Sequence, residues 1–180
     1  MLGLAVILTA CSPEDREMNR AMILRDIALN AERCSFTAEV TADYGELLHS
    51  FSMDCASDRQ GNVQFEITQP ETLEGIKGTI SDRGGEIDFE DTALYFPLLA
   101  DEQLTPAAAP WIFLKIVRSG SITSVCREDS LLHMTAEDIF QGEALLMDIW
   151  LDESNVPVRG EVLFDGKRIL TLSFKNLHFV

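Results

Sequence analysis

The residue types that most often carry chemistry are sparse in this sequence of 180 residues. It has three histidines, His49, His133 and His178, which lie far apart along the chain. No two cysteines form a Cys-x-x-Cys pair and no histidine lies at ligand spacing, so a zinc site is not expected. A nucleophile elbow of the Gly-x-Ser-x-Gly type is also missing from the sequence. We therefore expect no enzyme activity, no catalytic residue, no metal and no cofactor.

Two smaller features have a structural explanation. Glu86, Asp88 and Glu90 alternate along one predicted strand, where they project from one face at a spacing of about 6.8 Å. The Asp-x-Asp-x-Asp-Gly loop of calcium sites does not accompany them, so we expect a solvated face. His49 falls on the inward face of another predicted strand and is expected to be a hydrogen-bonded core histidine.

The N-terminus carries a different kind of chemistry. An apolar run from Leu2 to Leu8 ends in Thr9-Ala10-Cys11 and is followed at once by polar chain, which is typical of a secretory signal. The run Leu8-Thr9-Ala10-Cys11 resembles the bacterial lipobox, in which the cysteine is lipidated and becomes the first residue of the mature protein. No Lys or Arg precedes the run, and an ordinary apolar N-terminus with a chance cysteine stays open. We expect residues 1–10 to be a lipoprotein signal peptide and Cys11 to be the lipidation site.

Composition limits the partners. The chain has 30 acidic and 14 basic residues and a net charge of −16, which argues against nucleic acid, whose phosphates require Lys and Arg. The same charge argues against electrostatic docking on anionic lipid. The remaining residues, 11–180, suit a single domain with one core. We expect a monomer.

The chain begins with a predicted helix from Pro13 to Arg33, capped by Ser12. Its apolar stripe comprises Met18, Ala21, Met22, Ile27, Ala28 and Ala31. From Cys34 the periodicity changes to two, which indicates a hairpin of half-buried strands that turns at Tyr44-Gly45. That turn places Phe36 opposite Met53 and Cys34 opposite Cys55. The register predicts a Cys34–Cys55 disulfide, with two reduced core cysteines as the alternative.

Further short strands follow in hairpin succession. A turn centred on Arg83-Gly84 places Ile80 opposite Ile87, and a three-residue loop at Asp165-Gly166-Lys167 joins the last two strands. One segment, from about Pro110 to Arg118, predicts a short helix that is apolar nearly all round and ends at Gly120. The fold class is therefore α+β: an open antiparallel half-barrel, formed by a curved meander, with an N-terminal helix and a plugging apolar helix on its concave face.

This arrangement resembles the LolA/LolB/LppX-type lipoprotein-carrier superfamily over most of the chain from Pro13 to Val180. The passage from Val156-Pro157-Val158-Arg159-Gly160 through Asp165-Gly166-Lys167 to Asn176 is its most similar part. The resemblance implies an apolar cavity for acyl chains, covered by a lid of Trp111, Phe113 and Leu114. The positions that it places on the concave face are Phe36, Val40, Phe51, Met53, Phe65, Ile67, Ile80 and Phe89. It assigns no position here to the arginine that locks the lid in the soluble carrier.

The sequence and the resemblance together predict an exported lipoprotein, anchored through Cys11 on the extracytoplasmic face of the cell membrane or outer envelope. Its expected ligand is a lipid or the acyl chain of another lipoprotein, in lipid or lipoprotein trafficking. Core packing alone also explains the aromatic positions, since any sheet with one buried face needs them. The alternative function is a non-transporting interaction or sensor module of the cell envelope with the same fold.

Overall fold

The structure is a computed structural model that describes residues 13–45, 48–89, 92–100, 103–140 and 142–180. The predicted signal peptide, the lipidation site Cys11 and the Ser12 cap lie outside these ranges. The elements are α1 (Pro13–Asn30), β1 (Cys34–Asp43), β2 (Leu48–Ser57), β3 (Val63–Gln69), β4 (Lys77–Ser81), β5 (Gly84–Phe89), β6 (Thr92–Phe96), β7 (Leu99–Ala100), β8 (Gln103–Leu104), α2 (Ala109–Ser119), β9 (Ser121–Glu128), β10 (Leu131–Phe140), β11 (Glu143–Leu151), β12 (Pro157–Phe164) and β13 (Lys167–Phe179). A single 3₁₀ turn, Pro106–Ala108, leads into α2.

Eleven strands form one antiparallel sheet in the order β6-β5-β4-β3-β2-β1-β13-β12-β11-β10-β9. The first and last strands pair with each other at the centre of the sheet, and each half is a meander of hairpins. Within the described ranges β6 and β9 are the two edges and do not pair with one another, so the sheet is open rather than a closed barrel. The predicted α+β class with an open antiparallel sheet and two helices is confirmed.

Helix α1 begins at Pro13 as predicted but ends at Asn30, three residues before the predicted end. The N–H groups of Glu32 and Arg33 donate to the carbonyl of Val180, which draws the chain into the sheet before another turn can form. The helix buries Ala21, Leu24 and Ala28, whereas Met18, Met22 and Ile27 are 39–46% exposed. The predicted stripe was therefore partly wrong, because the buried face of α1 is centred on Ala21, Leu24 and Ala28 and leaves Met18, Met22 and Ile27 at its flanks.

Helix α2 is the most thoroughly buried element. Its buried residues are Ala109, Pro110, Trp111, Ile112, Phe113, Leu114, Ile116 and Val117. Gly120 ends the helix, as predicted, and its N–H donates to the carbonyl of Ile116 at 2.9 Å. Since apolar side chains occur on all sides, the helix has to be covered on all sides, and the inner face of the sheet, the 3₁₀ turn and α1 cover it.

The register of the first hairpin differs from the prediction by two residues. Phe36 lies opposite Cys55, and Cys34 lies opposite Ser57, because the connection between the strands is longer than the predicted two-residue turn. The predicted Cys34–Cys55 disulfide is therefore wrong in its geometry, and both residues are buried free thiols. A shift of two residues keeps every inward side chain facing inward, so alternation alone could not detect it.

Three further local predictions were wrong. Ile87 lies opposite Gly78 rather than Ile80, since β5 already begins at Gly84. The last hairpin turns through two residues, because Phe164 pairs directly with Lys167. Asp165 and Gly166 both have positive φ (49° and 70°), which matches a type I′ turn. His49 is exposed rather than in the core, because it lies near the solvent-exposed start of β2.

Candidate functional site

The positions predicted to line a cavity lie on the inner face of the sheet and in α2. Six strand positions are buried: Phe36, Val40, Met53, Phe65, Ile67 and Ile80. Phe51 is half-buried at the edge of the same cluster, and Phe89 is the last residue of β5. The predicted lid residues Trp111, Phe113 and Leu114 are also buried in this cluster. The fold thus brings together the lining positions whose side chains it describes.

Aromatic rings connect α2 to the centre of the sheet. The ring centroid of Phe113 lies 6.0 Å from Phe36 and 4.3 Å from Phe174, while Trp111 makes an edge contact with Phe140 at 5.4 Å. In this conformation α2 therefore occupies the space over β1 and β13. Phe174 and Phe140 were missed at the sequence level, although alternation with Leu170 and Leu172 already places Phe174 on the inward face of β13.

Two arginines join α1 to α2 in a reciprocal way. Arg25 of α1 donates from Nε to the carbonyl of Val117 at 3.1 Å and from Nη2 to the carbonyl of Gly120. Arg118 of α2 donates from Nε to the carbonyl of Ala28 at 3.0 Å. Each guanidinium thus supplies donors to carbonyls at the C-terminal end of the other helix, where cations are favoured. These contacts hold the C-terminal end of α2 against α1.

A third polar contact joins α2 to β10. The carboxylate of Asp138 accepts hydrogen bonds from Lys115, from Ser119 Oγ at 2.9 Å and from the Ile139 N–H at 2.7 Å. Burial, the largest single influence, would raise the pKa of Asp138. The hydrogen bonds together with the charge of Lys115 outweigh burial, so the pKa of Asp138 is lowered below its ordinary value. The ionised carboxylate therefore stabilises the docked position of α2.

A cavity of about 420 Å³ opens beside α2, along the side that carries Lys115. Trp111, Lys115, Arg118 and Ser119 form its helical wall, and the β2–β3 and β4–β5 turns contribute Gln60, Gly61, Asn62 and Asp82. Its size falls within the range of small-molecule sites. Nη2 of Arg118 is buried and has no hydrogen-bond partner among the described residues. Arg118 and Lys115 give the helical wall of the cavity two cationic side chains.

Other cavities touch the predicted lining residues from the opposite side. One of about 700 Å³ includes Val40 and Phe51, and one of about 370 Å³ includes Cys55 and Phe65. Most of their walls are polar residues that alternate with the inward positions, such as Glu39 and Thr41 in the first and Gln64 and Glu66 in the second. They are therefore depressions of the outer surface. Of the three cavities just described, only the one beside α2 combines a predicted lid residue with cationic side chains.

The two buried thiols, Cys34 and Cys55, are expected to be unreactive. Burial raises the pKa of Cys34 to about 12, although Arg118 partly counteracts the effect, and burial likewise raises the pKa of Cys55. Among the described residues, no group of three or more His, Cys, Asp or Glu side chains is arranged to hold a metal ion. Neither described helix has the length and apolarity needed to span a membrane.

The order of strands and the position of α2 can be compared with solved structures. A LolA superfamily protein from Nitrosomonas europaea superposes with a TM-score of 0.50 and 11% identity, over 89% of this chain and 93% of that chain. This chain has the LolA-type fold. The lipoprotein LppX of Mycobacterium tuberculosis is also similar, with a TM-score of 0.43 and 10% identity over 90% of this chain and 93% of that one. LprF of Mycobacterium bovis superposes with a TM-score of 0.42 and 13% identity, over 93% of this chain and 95% of that chain.

The likeness to these LolA-type structures concerns the fold. No protein-family model and no curated protein matches the sequence. The function of this LolA-type chain therefore rests on its own residues, above all on α2 and the contacts that hold it on the sheet.

Proposed function

We propose that this protein binds the acyl chain of a lipid, or of another lipoprotein, between α2 and the inner face of the sheet. The observation that carries the proposal is α2 itself, a short helix with apolar side chains on all sides that lies on the inner face of an open sheet. Its ring contacts with Phe36 and Phe174 are dispersive and have little directional preference. A hydrocarbon chain can replace such contacts when α2 moves away from the sheet.

The entry site in this proposal is the cavity of about 420 Å³ beside Trp111. Lys115 and Arg118 lie at its rim, so the chain would enter with its anionic headgroup held by these cations. The acyl tail would then extend beneath α2 along the inner face. Binding would rest on water exclusion and dispersion, with little hydrogen-bond specificity along the tail.

The same proposal includes an envelope location. Lipidation of Cys11 would anchor the exported protein in a membrane two residues before α1 begins. Several acyl chains, at about 0.8 kcal/mol per buried methylene, hold a protein in a bilayer essentially permanently. A Cys11→Ser chain should therefore leave the membrane fraction and lose incorporation of labelled palmitate. Retention of the variant in the membrane would contradict the anchor.

Native mass spectrometry of the gently extracted protein, followed by titration with a fluorescent fatty acid, tests acyl-chain binding. Phe51→Asp places a carboxylate at a half-buried lining position and should abolish fatty-acid uptake. Ser52→Asp, at the neighbouring outward position of β2, adds the same charge and should leave uptake unchanged. Circular dichroism checks that both variants fold. A wild-type protein that carries no lipid and takes up no fatty acid would contradict the proposal.

A second candidate is the interaction or sensor module. Large apolar side chains on α1 are 40–57% exposed, namely those of Met22, Ile23 and Leu29. Clusters of exposed apolar residues often mark sites of protein interaction. A protein that remains free of lipid in native mass spectrometry and co-purifies with one defined protein would favour this candidate over acyl-chain binding.

A further inference from the structure

The outer face of strands β9 to β12 carries a row of polar and aromatic side chains that the acyl-binding site does not use. In cross-strand register, Cys126 lies opposite His133, and His133 lies opposite Trp150. Trp150 in turn lies opposite Arg159 on β12. Cys126 is exposed and belongs to β9, which is an edge strand of the described sheet. The row therefore ends in a thiol that solvent and reagents can reach.

The imidazole of His133 is fixed in one orientation. Its Nε2 lies 2.9 Å from Asp148 Oδ1, which also accepts a hydrogen bond from Thr135 Oγ1 at 2.6 Å. The ring of His133 stacks on the indole of Trp150, with a centroid distance of 4.5 Å and an interplanar angle of 5°. Arg159 covers the same indole at 4.6 Å. The imidazole thus has a carboxylate at its edge and an aromatic wall behind it.

This orientation decides which nitrogen faces the thiol. An ionised carboxylate only accepts hydrogen bonds, so Nε2 of His133 must carry the proton that points at Asp148. In the neutral ring Nδ1 is then the acceptor, and it lies 3.8 Å from the sulfur of Cys126. The thiol proton can pass directly to Nδ1. The resulting imidazolium would be stabilised by Asp148 on one side and by Glu128, whose Oε2 lies 3.6 Å from Nδ1, on the other.

We propose that Cys126 is a base-activated thiol that exchanges with small cationic disulfides, with His133 as its general base and Asp148 as the residue that positions His133. Cys126 passes its proton to Nδ1 of His133, and the thiolate attacks one sulfur of the disulfide. A new bond joins Cys126 to that half, the original sulfur–sulfur bond breaks, and the other half leaves as a thiolate that takes up a proton. Cys126 is oxidised and the disulfide is reduced by the same two electrons.

The charges that face the thiol select the substrate. Glu128 and Asp148 contribute negative charge on β9 and β11, while Arg159 is held on β12 by Glu161, which also accepts a hydrogen bond from Arg168 at 3.1 Å. Glu128 is fixed beside the site by the Trp150 Nε1–H, which donates to its Oε2 at 2.8 Å. A cationic disulfide is therefore attracted to the thiol and an anionic one is repelled.

Cystamine is a suitable cationic probe, applied to the full chain carrying Cys11→Ser so that the N-terminal thiol does not contribute. Intact mass reports formation of the mixed disulfide, and peptide mapping should assign it to Cys126. A thiol of ordinary acidity is only about 3% ionised at pH 7. Removal of the base by His133→Gln should therefore slow the reaction about tenfold at that pH. The rates should converge near about pH 10, where exposed thiols ionise unaided.

Matched variants separate activation from simple exposure. Asp148→Asn should slow the reaction partially at neutral pH and converge with wild type at high pH, which a purely structural role would not produce. His178→Gln alters an exposed histidine on β13, away from the row, and should change nothing. Thermal unfolding verifies that each variant folds. The proposal is overturned if His133→Gln reacts at the wild-type rate at neutral pH, or if its deficit persists undiminished to high pH.

The selection by charge has its own test. Cystamine should react faster with the protein than an anionic disulfide, dithiobis-nitrobenzoate, after each rate is divided by the rate with free cysteine. Glu128→Gln should narrow this preference. Equal normalised rates for the two disulfides would overturn the assignment of a cationic substrate.

Discussion

The substitution Arg25→Met removes one of the two arginine contacts that hold the C-terminal end of α2 to α1. It deletes both hydrogen bonds from the guanidinium, to the carbonyls of Val117 and Gly120, and keeps an apolar stem of similar length. Hydrogen bonds to charged groups contribute about 1.5–3 kcal/mol each, and the half-buried position of Arg25 allows water to replace part of them. We expect the free energy of unfolding to fall by about 2 kcal/mol. The urea midpoint should decrease while the slope of the transition stays the same.

The same change should speed uptake of the ligand. If α2 has to leave the sheet to admit an acyl chain, a loss of 2 kcal/mol in its docking raises the displaced population about 30-fold. Stopped-flow mixing with a fluorescent fatty acid would measure the effect as a faster initial rate. The assay requires only the folded protein and is independent of any natural ligand.

Arg20→Met is the matched control on the same helix. Arg20 donates from Nε to Asn155 Oδ1 and from Nη2 to the carbonyl of Asp152, each at 2.7 Å, and these partners lie in the β11–β12 turn. The control should lose comparable stability because it loses bonds of the same kind, yet its uptake rate should equal that of wild type. If both variants take up fatty acid equally fast, displacement of α2 does not control the entry of the acyl chain.

Three further outcomes follow from the packing and the charges. Phe113→Ala should lower the free energy of unfolding by about 3–5 kcal/mol in urea titrations, since its ring contacts Phe36 and Phe174 in the centre of the core; a loss below 1 kcal/mol would show that this region is loosely packed. Because the pKa of Asp138 is lowered in the folded state, its ionised form stabilises the fold above about pH 4, and this contribution is lost as the pH falls through the folded value. The stability difference between wild type and Asp138→Asn should accordingly shrink in acid, and a constant difference would contradict the assignment. In non-reduced native protein iodoacetamide should label Cys126 and spare Cys34 and Cys55, whose pKa values are raised by burial; all three should react after unfolding, whereas two unreactive thiols at that stage would indicate a disulfide.

The fold was predictable because alternation is a strong signal in a sheet with one buried face. Cys34, Phe36, Ala38, Val40 and Ala42 all face inward as their period of two requires. The register of the first hairpin could not be predicted to better than two residues, because a shift by two residues also places inward-facing positions opposite each other. Turn length decides between such registers, and a non-repetitive connection such as the one after Tyr44 has no unique sequence signature.

The outer face was harder to interpret from sequence for a different reason. Cys126, His133 and Asp148 belong to three successive strands, and their separations in sequence match no motif of fixed spacing. Only the pairing of β9, β10 and β11 brings them together: Cys126 lies opposite His133, and Asp148 lies opposite Thr135, two residues along β10 from His133. Knowledge of the two turn positions would have been enough to find the pairs, because residues opposite each other across a hairpin have a constant sum of residue numbers until a bulge intervenes.

The two faces of this sheet can carry separate functions because the pleat separates them. On β10, Leu132, Met134 and Ala136 face the core, whereas His133 and Thr135 project to the outer face. Displacement of α2 changes contacts on the inner side, and neither Arg25 nor Arg118 bonds to a residue of the outer row. The backbone hydrogen bonds that fix Cys126 opposite His133 would persist when the inner face opens. The proposed acyl-chain binding, at α2 and the inner face around β1 to β3 and β13, and the proposed thiol exchange, on the outer face of β9 to β11, would therefore depend on different side chains, and neither would require the other.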